Sequence, residues 1–128
     1  MKTFFVNEKL NYEPVVEVLI ENPLGDHAST ERLVVDTGFQ GGVLLTLKTY
    51  LKLNLNLFEE GKVLAKTATG APVELRISRV KLKINQAEIL CHAYTTLNVR
   101  KQLLGREVLR KLKLTYDPPE TLEIKPKN

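Results

Sequence analysis

Residues 33–45 read LVVDTGFQGGVLL and set one carboxylate, Asp36, between two apolar runs, with Thr37 and Gly38 directly after it. Two roles fit such an acid. It can close a turn by bonding to nearby backbone while a glycine takes the left-handed conformation, or it can be aimed at a partner. The tight apolar flanks favour the second role. They put Asp36 at the end of a buried strand, where an ionised carboxylate is costly unless hydrogen-bonded or paired. Cys91-His92 offers the residue types of a nucleophile and its base. Neighbours on a strand point to opposite faces, however, so these two side chains should not touch, and a structural thiol is expected. One Cys and two His give no metal-ligand spacing, so neither a metal nor a cofactor is expected. Gly41-Gly42 lacks the Lys and Ser/Thr of a phosphate loop, and His27 reads as a solvated loop residue.

The elements that must position Asp36 are mostly strands. Residues 15–20 are a β-branched, apolar stretch interrupted by Glu17 and predict a strand, followed by a loop over 22–26. Residues 32–35 and 43–45 read as two buried strands on either side of the Asp36 turn. Leu47, Tyr50 and Leu51 have helical spacing, and the Leu/Asn alternation over 53–57 predicts extended chain after it. Val73, Leu75 and Ile77 alternate with polar residues, and so do Val80, Leu82 and Ile84 in the opposite phase. The switch predicts a bulge or bend at Ser78-Arg79. Thr69-Gly70-Ala71-Pro72 is the hairpin turn leading into this region, and Asn85-Gln86 turns it into a strand over 88–95. Leu104, Val108 and Leu112 predict a helix around 106–111. Pro118-Pro119 interrupts the chain before a final strand over 121–125, with Lys127 and Asn128 frayed.

The sequence from Asp36-Thr37-Gly38, through a Gly-Pro hairpin, to Leu103-Leu104-Gly105 opening a helix resembles the retropepsin-like aspartic proteases, most of all their small single-domain microbial members. The resemblance runs from about residue 15 to 124. It implies a mostly-β, acid-protease (retropepsin-like) closed barrel with a flap hairpin and one or two short helices, as a single domain over residues 1–128. It also implies roles. Asp36 would be the catalytic carboxylate, Thr37 would bond across to a partner subunit, and Gly38 would let the backbone approach substrate. Leu103, Leu104 and Gly105 would support the Asp loop from beneath. Phe39 would border the substrate, where many members carry Ala. Residues 67–73 would form the flap tip, with Ala68, Thr69, Gly70 and Ala71 over the substrate; with Gly70 as its lone glycine, the tip would be a stiff one.

In that family's chemistry a water attacks a peptide bond between two carboxylates, one taking its proton and the other protonating the carbonyl oxygen. Two acids in contact cannot both ionise readily. The chain has three Asp, and neither Asp26 nor Asp117 is followed by Thr-Gly or Ser-Gly. A bilobed single-chain enzyme is thereby excluded, and a homodimer in which Asp36 meets its symmetry copy is implied. The substrate would be an extended peptide or unfolded protein segment with apolar residues at the cut.

Composition agrees with a soluble globular protein: 128 residues, 43% apolar and 27% charged, with a net charge of +4. The apolar run Phe4-Phe5-Val6 is too short for a signal-peptide core, and none approaches membrane-spanning length. A single free Cys suits a reducing compartment, so a cytoplasmic location and no membrane partner are expected. Lys81 and Lys83, and the cluster Arg106, Arg110, Lys111 and Lys113, read as solvated faces without the aromatics that stack bases, so no nucleic-acid partner is expected. Two alternatives are a dimeric peptide-binding or scaffold module of the same fold with weak or no hydrolysis, and, less well supported, a basic nucleic-acid adaptor.

Overall fold

Strand β2 (Asn11–Glu21) is paired along both edges, and its alternation turns one face to the core. Val16, Val18 and Ile20 are buried on one face, where β-branched side chains fill a pleated surface well. In a computed structural model that describes residues 1–8, 11–66 and 69–127, β2 pairs antiparallel with β1 (Lys2–Glu8) and with β3 (Ala28–Val35). The β2–β3 loop is organised by the buried Asn22. Its Oδ1 accepts the Leu24 and Gly25 N–H groups at 3.1 and 2.8 Å, and its Nδ2 donates to the Leu53 carbonyl at 3.1 Å.

The chain continues as β4 (Val43–Leu44), α1 (Leu47–Lys52), a 3-10 turn over Leu55–Phe58, β5 (Lys62–Lys66), β6 (Pro72–Ile84), β7 (Ala87–Thr95), β8 (Leu103–Leu104) and α2 (Arg106–Leu109). Strands β9 (Leu112–Asp117) and β10 (Thr121–Pro126) form a separate two-stranded sheet. Thr46 caps α1, its hydroxyl accepting the Thr49 N–H at 3.3 Å.

The mostly-β expectation, with short helices, agrees with this architecture, but the closed barrel is overturned. Eight strands lie in one sheet in the order β1-β2-β3-β8-β4-β7-β6-β5, with β1 and β5 at its two ends. The sheet folds over far enough for β2 to meet β6 at three residue pairs, from Leu19↔Lys83 to Glu21↔Lys81, but it is not a ring of strands round one axis. Its middle is held by β4 and β8, each only two residues long, too short to tilt and stagger as barrel staves do.

Other local expectations shift for physical reasons. Residues 53–57 are not extended. Asn54 takes φ 56°, a left-handed conformation that Asn tolerates, and the 3-10 turn follows; the kink buries both Leu53 and Leu55. No bulge interrupts β6 at Ser78-Arg79, since its ladder to β7 is continuous from Arg76↔Thr95 to Ile84↔Ala87. The phase switch is real. Leu75 is buried on one face, and Ser78, Val80, Leu82 and Ile84 on the other. It coincides with a change of neighbour at Arg76, from β5 to β7, as the strand passes from an outlying hairpin into the body. The helix expected around 106–111 is a single turn, and Leu112 belongs to β9. Strands β1 and β9 were not anticipated. Among the described residues no helix is long and apolar enough to cross a membrane.

The small β9–β10 sheet is seated on the β1–β2 hairpin. Thr3 Oγ1 donates to the Leu122 carbonyl at 2.7 Å and the Tyr116 hydroxyl to that of Tyr12 at 3.0 Å. The Phe5 ring meets Tyr12 and Tyr116 edge-on. This seating brings Leu114 and Tyr116 beside the end of β3, where Asp36 lies.

Candidate active site

Asp36 leaves β3 beside the two short strands β4 and β8. Strand β8 lies parallel to β3 (Val34↔Leu103, Val35↔Leu104) and antiparallel to β4 (Val43↔Leu104). The loop over 36–42 must therefore arch around the end of β8 before returning as β4. Its backbone groups are tied to the segment beneath. Asp36 N–H donates to the Leu104 carbonyl at 3.0 Å, Gly105 N–H to Gly42 at 2.8 Å, Arg106 N–H to Phe39 at 2.8 Å and Glu107 N–H to Gly41 at 3.2 Å. Leu103, Leu104 and Gly105 thus lie under the Asp loop. Gly105 is there because nothing larger fits: a Cβ would meet the Gly41 carbonyl oxygen head-on and come within 2.6 Å of the Phe39 ring. Gly42 is equally confined, its would-be Cβ 2.5 Å from the His92 carbonyl oxygen.

The Asp36 side chain is half-buried and its Oδ1 accepts the Gly38 N–H at 2.8 Å, while Thr37 and Gly38 are exposed. Asp36 and Thr37 open onto a recess of about 410 Å³ shared with Pro14, Val35, Leu114 and Tyr116. No second acid lines it. Asp26 lies in the β2–β3 loop, bonded to Asn22 Nδ2 at 2.7 Å, and Asp117 ends β9.

On the other side of the loop a groove runs between Phe39 and the β5–β6 hairpin. One part, about 540 Å³, is lined by Gly38, Phe39, Gln40, Tyr94 and hairpin residues including Val63 and Leu75. The next, about 480 Å³, lies among Phe39, Leu44, Val73, Leu75, Val99 and Arg100. Phe39, expected at the substrate, faces both. Thr69, Gly70 and Ala71 are exposed in the turn between β5 and β6, and Gly70 takes φ 85°. The hairpin residues that line the groove are instead on the strands, Ala65, Val73 and Leu75 among them. Ala68 and Thr67 lie outside the described residues.

Three features escape a reading of the sequence. Tyr94 packs edge-to-face on Phe39, centroids 5.7 Å apart, and fixes that ring. Gln102 joins β3 to the start of α1. Its Oε1 accepts the Thr46 N–H at 3.2 Å and its Nε2 donates to Glu31 Oε1 at 3.0 Å. Glu31 also accepts from Ser29 and Thr49 and pairs with Lys52 Nζ at 3.0 Å. Burial pushes the Glu31 carboxyl up, but the bonds from Ser29, Gln102 and Lys52 outweigh it and hold it below its ordinary value. Third, Glu107 binds His92 twice, accepting its backbone N–H at 2.9 Å and meeting Nδ1 at 2.8 Å. Only the β alternation offered a hint of this, by turning His92 away from Cys91. The Cys91 thiol is buried, and burial, then the Glu107 charge, raise its pKa well above that of a free thiol, which leaves it unreactive. Among the described residues no group of three His, Cys, Asp or Glu gathers to hold a metal ion.

Solved structures share this fold. The chain is similar to the EIAV protease complexed with the inhibitor HBY-793, at 22% identity and a TM-score of 0.59, over 82% of this chain and 92% of that one. It is also similar to a retropepsin-like aspartic protease from Rickettsia conorii, at 18% identity and a TM-score of 0.55, over 91% and 90% of the two chains. No protein-family model and no curated protein sequence matches. At these identities the likeness establishes the fold: the chain has the architecture of the retropepsin-like aspartic proteases.

Proposed function

We propose that the protein is an aspartic endopeptidase, active as a homodimer in which the two Asp36 carboxylates share one site. The observation that carries this reading is the half-buried Asp36, held by Gly38 N–H on a loop whose next residues, Gly38 and Phe39, line a groove, in a chain of this fold. Asp36 and Thr37 face outward beside Pro14, Leu114 and Tyr116, a partly apolar recess with no acid of its own besides Asp36. A second copy seated there by a two-fold axis supplies the missing carboxylate and meets Thr37. One Asp36 then takes a proton from the attacking water while its protonated twin donates to the carbonyl oxygen. A peptide lies extended in the groove, its apolar side chains against Phe39, Val73 and Leu75, covered by the hairpin whose tip is Thr69, Gly70 and Ala71. Phe39, pinned by Tyr94, limits the size of the residue accepted there.

The test is cleavage of a diverse peptide mixture from acid to neutral pH by wild type and Asp36→Asn. Wild-type activity with a bell-shaped pH profile, lost in the variant, supports the proposal. Equal cleavage by both rejects it. Peptide binding by a wild type that never cleaves points to a binding module instead.

A further inference from the structure

The groove is apolar in its middle and basic at one end. At Gln40, Gly41 and Tyr94 it adjoins a recess of about 570 Å³ walled by these three and by Arg106, Glu107 and Arg110. The one carboxylate there is already occupied, both Glu107 oxygens being turned to His92. The two guanidiniums are not. Arg106 and Arg110 are exposed, and among the described residues neither has an ion pair or a side-chain hydrogen bond. Other arginines do: Arg76 meets Glu59 at 2.7 Å and Arg79 meets Glu60 at 2.6 Å. The Arg110 N–H donates to the Arg106 carbonyl at 3.0 Å, so the two residues stand one helical turn apart on one face. Like charges so placed repel, and an anion between them would relieve the repulsion.

We infer that this recess is a specificity subsite that receives an acidic side chain of the peptide, Arg106 and Arg110 donating to its carboxylate. The inference rests on the reading of the groove as a peptide site. A peptide is favoured over other anions because the recess is continuous with the groove. Gln40, Gly41 and Tyr94 line both, so an extended chain along the Asp loop delivers a side chain directly to the arginines. The planar fork of Arg suits a carboxylate, and the Gln40 amide adds a donor. Asp36 does not line this recess, so the acid is held away from the scissile bond, and the apolar middle of the groove still decides which residues flank the cut.

The experiment uses one apolar-centred peptide carrying Glu, Gln or Lys at each position in turn. Cleavage by wild type is read alongside binding to Asp36→Asn. At one position Glu is preferred to Gln by about fivefold, the scale of exposed charge pairs. The preference falls to near unity in the Arg106→Gln/Arg110→Gln double variant, and Arg110→Glu turns it toward Lys, a gain that misfolding cannot imitate. A Glu/Gln ratio near unity in wild type, or one unmoved by the substitutions, overturns the inference. So does an oligonucleotide whose binding alone responds to them. Charge-dependent binding without cleavage keeps the subsite and rejects hydrolysis; absence of all peptide binding rejects both.

Discussion

The loop that carries Asp36 and the hairpin that faces it across the groove are built in opposite ways. Around the loop, backbone meets backbone so closely that Gly42 and Gly105 leave no room for a methyl group. In the hairpin, a Cβ on Gly70 would meet nothing within 4 Å, and the glycine is there for its φ of 85°. Leu104 and Val43 are fully buried, whereas Leu64 on β5 is 76% exposed. One side of the groove has its shape set by close backbone packing beneath it. The other is held by a single antiparallel ladder and a turn. That division suits a site in which the reacting group must stay fixed while the cover admits and releases a chain.

The sharpest challenge to this contrast is Gly105→Ala. Its methyl group has no space and no flexible side chain to displace, so a loss of about 3 kcal/mol or more in urea-unfolding stability is expected. The same substitution at Gly70 strains only the local φ and should cost about 1 kcal/mol. Equal losses at the two positions would erase the distinction. A smaller, pH-dependent effect is expected where Glu31 ties β3 to α1. The Glu31 carboxyl titrates below its ordinary value of 4.5 when folded, so its stabilising contribution is complete above that pH and is lost as pH falls through the lower folded value. Replacing it, as Glu31→Gln, should flatten the acid limb of stability below about pH 4.5, and an unchanged limb would show that the network does not stabilise the fold. Smallest of all, Leu64→Ser on the exposed face of β5 should alter stability by less than about 0.5 kcal/mol.

How much of this could be read from residue order follows from how local each signal is. The strand containing Val16, Val18 and Ile20, the β6–β7 hairpin and the turn at Gly70 each carry their pattern within a few residues, and all three form. The Asp36 turn and Leu103-Leu104-Gly105 were legible as a pair only through family resemblance, since no periodicity links residues so far apart. Strand β1 owes its existence to pairing with β2 and to the aromatic contact of Phe5 with Tyr116, and β9 to pairing with β10. A closed barrel was expected from the family resemblance; how far two-residue strands carry the sheet is decided by tertiary packing. Tyr94, Gln102 and the His92–Glu107 pair act across the fold, and their side-chain types alone gave no hint of the partner.

The central claim, that each site needs two copies of Asp36, is tested most directly by mixing. Wild type and Asp36→Asn are exchanged to equilibrium in varying proportion at constant total concentration, and peptide cleavage is followed. A shared site requires activity to fall as the square of the wild-type fraction, to about a quarter at equal mixing, since only wild-type pairs carry both acids. A linear fall, to about a half at equal mixing, would mean that each chain works alone and would contradict the claim.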